Sequence, residues 1–203
     1  MNVYVETNFI LELVFQQEQS ANCEAILAQC EAQAHTLVIP AYCLAEPNEK
    51  LVRQARSRRE LQRTLESELR QLARRESYRV RIDNIQDIAN LLIQSNEEDQ
   101  QRFDVYRSRI LRIAEVVPLT TEILRQASIY ELPYHLAPQD ALVYASVIAH
   151  LSAGQWQPSC FLNRNSRDFD SPDIVDELAK HNCRMIPLFD DGERYIRSHS
   201  LVA

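Results

Sequence analysis

The sequence predicts a three-layer α/β fold, in which a central parallel sheet lies between two layers of helices. Short apolar segments alternate with longer stretches whose apolar residues recur at helical spacing. The short segments lack a regular polar alternation, which is typical of parallel strands buried on both faces. The chain has only two glycines, Gly154 and Gly192. Glycine-rich loops that bind nucleotide phosphates are therefore excluded.

The first strand is predicted at residues 3–5 and ends abruptly at Glu6. From Phe9 onward the apolar residues follow helical spacing, and Thr7 or Asn8 is predicted to cap the first turn of that helix. A carboxylate is therefore expected at the carboxyl end of a buried strand. Open α/β sheets bind their ligands at this edge.

The other strands are predicted at residues 36–39, 116–119, 159–163 and 183–188. Helices are predicted at residues 20–33, 40–46, 48–77, 120–130, 140–151 and 172–181, and residues 83–114 are predicted to form one or two helices. The helix at 140–151 is apolar enough to be central and buried. Pro47 is expected to kink its helical region or to start a new helix. We expect a single domain over residues 1–203, with a helical insertion at about 47–115.

Composition is ordinary for a globular protein, with 45% hydrophobic and 25% charged residues. The longest apolar stretch, residues 141–151, is too short to span a bilayer, and the amino terminus does not have the pattern of a secretory signal. The five cysteines are odd in number and form no Cys-x-x-Cys, which argues against a disulfide framework or a zinc site. These features predict a cytoplasmic protein with no membrane partner.

Basic residues are concentrated in the long helix that follows Pro47. Residues 50–81 contain 11 of the 22 Lys and Arg residues but only 4 of the 29 acidic residues. One predicted face carries Leu51, Leu61, Leu65, Leu69 and Leu72, and the opposite face carries Arg56, Arg59, Arg63, Arg70 and Arg74. Two interpretations of these arginines are open. They form a solvated face paired with neighbouring glutamates, or a surface that contacts RNA phosphates.

Acidic residues also occur where predicted strands end or helices begin, at Glu6, Glu46, Asp140 and the polar loop 163–170. The carboxyl ends of parallel strands meet at one edge of a sheet, so we expect Glu6 to neighbour this loop and Asp140 to face the same edge. Clustered carboxylates raise one another's pKa values unless a cation neutralises them. Mg²⁺ or Mn²⁺, which prefer oxygen ligands, are the expected cofactors. Such a site can activate water for phosphodiester hydrolysis.

Four segments resemble, in order, the acidic motifs of PIN-domain ribonucleases, a group that includes the toxin nucleases of bacterial toxin–antitoxin pairs. They are Val-Tyr-Val-Glu-Thr-Asn-Phe at residues 3–9, Glu46, Pro-Gln-Asp-Ala-Leu-Val-Tyr-Ala-Ser at 138–146, and Phe-Leu-Asn-Arg-Asn-Ser-Arg-Asp-Phe at 161–169. The resemblance implies a Mg²⁺- or Mn²⁺-dependent endoribonuclease that cleaves single-stranded RNA. The implied metal-binding and catalytic carboxylates are Glu6, Glu46, Asp140 and Asp168, with Asn8, Asn163 and Asn165 as supporting groups. The family usually has aspartate where this chain has Glu6.

Three of the four carboxylates also have a purely structural explanation. Asp140 suits a helix amino terminus through the helix dipole, Asp168 suits a turn, and Glu46 suits an exposed helix end. An unpaired carboxylate at Glu6 is harder to explain structurally because its burial is costly. The histidines His35, His135, His150 and His181 lack ligand-like spacing and are expected to be structural.

The alternative function is a non-catalytic PIN-like module that binds RNA or a protein through its arginine-rich helix. The partners expected from the resemblance are RNA and an antitoxin-like protein, with a second copy of the chain as a further candidate.

Overall fold

The computed structural model describes residues 1–154, 156–164, 169 and 171–200, except for the side chains of residues 79–86 and 200. Its strands form one parallel sheet in the order β3-β2-β1-β4-β5. The strands are β1 (Asn2–Val5), β2 (Thr36–Pro40), β3 (Glu115–Val117), β4 (Ser159–Leu162) and β5 (Cys183–Ile186). The sheet centre is therefore β1, whose two neighbours are β2 and β4.

Helices flank this sheet, and the predicted three-layer α/β/α fold is confirmed. The described helices are α1 (Thr7–Phe15), α2 (Ser20–Glu31), α3 (Ala41–Leu72), α4 (Glu76–Ile113), α5 (Thr121–Glu131), α6 (Pro138–Ala153), α7 (Pro172–Lys180) and α8 (Phe189–Ser200). In the described part of the chain, none of these helices is both long and apolar enough to cross a bilayer.

Of the two alternatives expected at Pro47, a kink or a new helix, the new helix is wrong, because α3 continues through this residue. A proline in a helix removes one backbone hydrogen bond. The turn of α3 that precedes Pro47 makes tertiary contacts. Cys43 is fully buried, and Glu46 accepts a hydrogen bond from Thr7 of α1.

The carboxyl-terminal helix α8 was not predicted, because its sequence is mostly polar. It is held by two buried side chains, Phe189 and Ile196. The ring of Phe189 contacts Phe9 of α1 with 5.6 Å between centroids. Its backbone N–H donates to Oε1 of Gln19 at 2.6 Å. These contacts therefore hold one face of α8 against α1 and the start of α2.

The buried helix α6 runs antiparallel to the strands. Near its carboxyl end, His150 Nδ1 is 2.8 Å from the Tyr4 hydroxyl, and His150 Nε2 is 3.1 Å from Glu115 at the start of β3. Asn2 at the start of β1 and Gly154 just after α6 line one cleft. The carboxyl end of α6 therefore lies at the amino edge of the sheet, and its first turn lies toward the carboxyl edge. These contacts give His150 a structural role.

The described chain divides into two compact units. One comprises Met1–Glu46 and Tyr106–Ala203 and contains the sheet. The other is Pro47–Val105, in which Arg58 of α3 donates to Asp99 of α4 at 2.8 Å. Leu61, which the sequence placed on a packed leucine face, is 56% exposed. The prediction is therefore wrong for Leu61, whereas Leu51 and Leu69 of the same face are buried.

Candidate carboxylate site

Glu6 occupies the single position between β1 and α1. Its backbone is extended, with φ −121° and ψ −174°, and its Oε2 accepts the backbone N–H of Asn8 at 2.8 Å. Glu6 is therefore the residue that caps α1. The prediction that Thr7 or Asn8 provides the cap is wrong, because α1 starts at Thr7 and the Glu6 side chain turns back over this first turn.

The Glu6 carboxylate is buried, with 7% of the residue exposed. Burial raises its pKa to about 7, and the nearby charge of Glu46 acts in the same direction, while hydrogen bonds from Asn8 oppose the rise. The second oxygen, Oε1, is buried and has no hydrogen-bond partner among the described residues. A buried oxygen in this state is costly unless something else binds it.

Glu46 lies beside Glu6 although the two residues are far apart in sequence. It is half-buried within α3, and its Oε2 accepts a hydrogen bond from the hydroxyl of Thr7. Cys43, one turn earlier in α3, is buried against the same carboxylates, and burial raises the pKa of its thiol. The exposed helix-end interpretation of Glu46 is therefore wrong, since the residue lies inside a continuous helix and is paired with α1.

The end of β4 completes the surroundings of Glu6. Val5 is level with Leu162 in the β1–β4 register, so Asn163 follows β4 at the height of Glu6. Asn163 is buried and its backbone N–H donates to Ile186 of β5 at 3.2 Å. The backbone N–H of Arg164 stabilises the charged Glu6 carboxylate, which lowers its pKa. Glu6 and the start of the polar loop are thus neighbours, as the sheet topology predicts.

Asp140 lies in the first turn of α6, two residues after Pro138, and is half-buried. Because the carboxyl end of α6 is at the amino edge of the sheet, this first turn lies toward the edge that carries Glu6. The same position satisfies the helix-dipole interpretation. A ligand role for Asp140 stays a prediction.

Two predicted site residues, Asn165 and Asp168, lie outside the described residues. Phe169 is described and is 1% exposed. Its ring centroid is 5.7 Å from that of Phe161 in β4 and 6.4 Å from that of Tyr144 in α6. This aromatic contact joins the end of the fourth motif to the core of the sheet unit.

An ion pair beside the site, in which only the carboxylate is fully buried, was missed by sequence reasoning. Glu12 of α1 is 1% exposed and forms an ion pair with the guanidinium of Arg164. The other Glu12 oxygen accepts the backbone N–H of Gln19 at 3.1 Å, and Arg164 also reaches Glu18 at 3.1 Å. The only sequence signal was a single carboxylate within the apolar run Phe-Ile-Leu-Glu-Leu-Val.

The donors at this edge fit a hard cation. Glu6 and Glu46 supply carboxylate oxygens, which Mg²⁺ and Mn²⁺ prefer, and one Glu6 oxygen lacks a described partner. Among the residues whose positions are described, no three His, Cys, Asp or Glu side chains are close enough together to enclose a metal ion. The described site is therefore a carboxylate pair with Asp140 at the same edge.

The predicted arginine face of α3 is exposed to solvent. Its members Arg56, Arg59, Arg63, Arg70 and Arg74 are all exposed. Arg56 pairs with Glu60 at 3.2 Å, whereas the other four form no ion pair within the described parts of the chain. Pairing with neighbouring glutamates therefore accounts for one of the five arginines.

Comparison with known proteins identifies the family. The family model of the PIN domain matches residues 3–169. No curated protein sequence matches the chain. Among solved structures, the fold is similar to the crystal structure of VapBC2 from Rickettsia felis bound to a DNA fragment from their promoter. That match has 14% identity and a TM-score of 0.44, and it covers 92% of this chain and 98% of the other. By the extent of the family match, this chain belongs to the PIN domain family.

Proposed function

We propose that this protein is a divalent-cation-dependent nuclease that hydrolyses phosphodiester bonds in single-stranded RNA. One observation carries the proposal. The Glu6 carboxylate is buried beside Glu46 with one oxygen unpartnered among the described residues. Two neighbouring carboxylates of this kind repel each other, and a cation would remove the cost. PIN domains are generally nucleases and typically use divalent metals, which supports the proposal.

In this proposal Glu6, Glu46, Asp140 and Asp168 hold Mg²⁺ or Mn²⁺. When bound, the cation supplies a more acidic water and neutralises charge on the phosphodiester. The chain's own groups orient the ligands. The backbone N–H of Asn8 fixes one oxygen of Glu6, and the hydroxyl of Thr7 fixes one oxygen of Glu46. Asn8, Asn163 and Asn165 are proposed as polar support around these carboxylates.

The test compares two aspartates that each lie near the amino terminus of a helix. Asp140 and Asp173 each lie in the first turn of a helix that begins with proline. Cleavage of end-labelled single-stranded RNA is measured with Mn²⁺ or Mg²⁺, and with EDTA as a blank. We expect Asp140→Asn to lower the cleavage rate by about 100-fold or more, because a ligand charge is lost at the reacting centre. Asp173→Asn should cleave at the wild-type rate. Equal rates for the wild type and Asp140→Asn would reject the proposal.

A second candidate function is RNA binding through the arginine face. The favouring observation is that Arg59, Arg63, Arg70 and Arg74 are exposed and lack ion pairs among the described residues. Binding of labelled single-stranded RNA is measured in EDTA at several salt concentrations. We expect Arg63→Glu with Arg70→Glu to weaken binding and to reduce the salt slope by about 1 to 2.

The control for that experiment is Arg125→Glu with Arg194→Glu, which replaces two exposed arginines that already pair within their own helices. This control is expected to bind RNA as the wild type does. Equal weakening by both double variants would mean that binding follows net charge alone, and no weakening by the first would leave the arginine face without an RNA role.

The resemblance to toxin nucleases extends the proposal to a cytoplasmic toxin with an antitoxin-like partner, and a homodimer is proposed as its assembly. Induced expression in a bacterial cytoplasm is expected to stop growth with the wild type and not with Asp140→Asn. Light scattering of the purified protein measures its oligomeric state. Normal growth with the wild type at full expression would contradict the toxin role, and a monomeric mass would contradict the homodimer.

A further inference from the structure

The ion pair between the buried Glu12 and the half-buried Arg164 is not used in the proposed chemistry. Glu12 is 1% exposed, and a carboxylate in that position is stable only when it is paired and hydrogen-bonded. Its Oε1 forms an ion pair with the Arg164 guanidinium but accepts no hydrogen bond among the described residues. Its Oε2 accepts the backbone N–H of Gln19 at 3.1 Å. Glu12 thus connects α1, the start of α2 and the segment that follows β4.

The segment held by this pair lies directly beside Glu6. The β1–β4 register places Val5 level with Leu162, which brings Asn163 and Arg164 next to the residue that follows Val5. The Asn163 N–H donates to Ile186, and the Arg164 N–H faces the Glu6 carboxylate. β4 ends at Leu162, so regular strand pairing does not hold Arg164.

We propose that Glu12 is a positioning residue, which anchors the Arg164 side chain and thereby fixes the Asn163–Arg164 backbone against Glu6. This inference rests on the proposed function, because the backbone that Glu12 fixes lies against Glu6, a proposed metal ligand. Removal of a group that orients a metal ligand without binding the metal itself typically lowers metal affinity by about 10-fold or more.

The chain offers a matched pair of variants. Glu12→Gln keeps the side-chain shape and the acceptor for Gln19 but removes the charge that anchors Arg164. Glu18→Gln removes the other carboxylate bound to the same guanidinium, and its side chain is 82% exposed. Exposed ion pairs contribute little. A positioning role therefore predicts an effect for Glu12→Gln and little effect for Glu18→Gln.

The primary measurement is amide hydrogen exchange by NMR without metal, at Asn163, Arg164 and, as an internal reference, Phe161 in β4. General destabilisation speeds exchange at all three amides by a similar factor, whereas local release acts on Asn163 and Arg164. In Glu12→Gln we expect exchange at Arg164 to rise about 10-fold beyond the rise at Phe161. Glu18→Gln should show no such excess. Equal factors at all three amides, or no change in Glu12→Gln, would overturn the proposal.

Titration with Mn²⁺ by calorimetry then separates this inference from the proposed function. We expect Glu12→Gln to bind Mn²⁺ about 10-fold more weakly than the wild type while still folded. A wild type that binds no Mn²⁺ would contradict the proposed function, while the exchange result would still decide whether Glu12 positions the backbone. A Glu12→Gln variant with faster exchange at Asn163 and Arg164 but unchanged Mn²⁺ affinity would show that positioning of this backbone does not affect metal binding.

Discussion

Replacing Glu6 by glutamine should change the pH dependence of stability in the metal-free protein. Burial raises the Glu6 pKa from 4.5 to about 7, with the Glu46 charge acting in the same direction. This difference between unfolded and folded states corresponds to about 3 kcal/mol of unfolding free energy. Glutamine keeps the shape and the oxygen that accepts the Asn8 N–H, but it carries no charge.

The sign follows from proton binding. Between pH 4.5 and 7 the unfolded carboxyl group loses its proton while the folded one retains it, so the wild type loses stability as the pH rises. Below pH 4.5 the wild type and Glu6→Gln should be equally stable. Above pH 7 the full cost is present, and Glu6→Gln should be more stable by about 3 kcal/mol.

Urea unfolding followed by circular dichroism, in EDTA at pH 4, 6 and 8, measures this difference. Asp173→Asn, which removes an exposed carboxylate, serves as the control. Its unfolding free energy should change with pH as that of the wild type does. At pH 8, Mn²⁺ should stabilise the wild type and not Glu6→Gln, because binding to the folded state alone raises stability. A stability difference between wild type and Glu6→Gln that is the same at all three pH values would refute the assignment of a buried, destabilised carboxylate.

Three further predictions concern packing, an ion pair and a hydrogen bond. Phe169→Ala should cost about 3 to 5 kcal/mol in urea unfolding, because it empties the buried space between Phe161 and Tyr144; a loss below about 1 kcal/mol would contradict this packing. Arg109→Ala should cost about 1 to 2 kcal/mol, because its partly buried guanidinium binds both Glu24 and Glu31. The Arg112 side chain is 70% exposed and pairs with Glu31 alone, so Arg112→Ala should cost less than about 0.5 kcal/mol. Equal losses of stability in the two variants would contradict a stabilising role for the contact of Arg109 with two carboxylates. Thr7→Val should weaken Mn²⁺ binding by about 10-fold through release of Glu46, and Thr7→Ser should restore it; a valine variant with wild-type affinity would exclude this positioning role.

The sequence alone was enough to predict the parallel strands of the central sheet and the edge at which they end. β1, β2 and β4 were predicted within about one residue because buried parallel strands leave continuous apolar runs between polar ends. The buried helix α6 was equally readable from its apolar composition. The common direction of the parallel strands then predicted that Glu6 lies beside the segment that follows β4, since parallel strands all end at one edge of the sheet.

Only the tertiary structure decided how the site side chains are held. The Thr7–Glu46 hydrogen bond and the Glu12–Arg164 pair join residues that are distant in sequence, and no local pattern encodes such partners. The tertiary structure likewise shows what α8 packs against, since Phe189 contacts Phe9 of α1 and its backbone N–H donates to Gln19 just before α2. Hydrophobic periodicity reports which face of an element is buried, whereas the partner of each buried polar group depends on which elements the complete fold brings together.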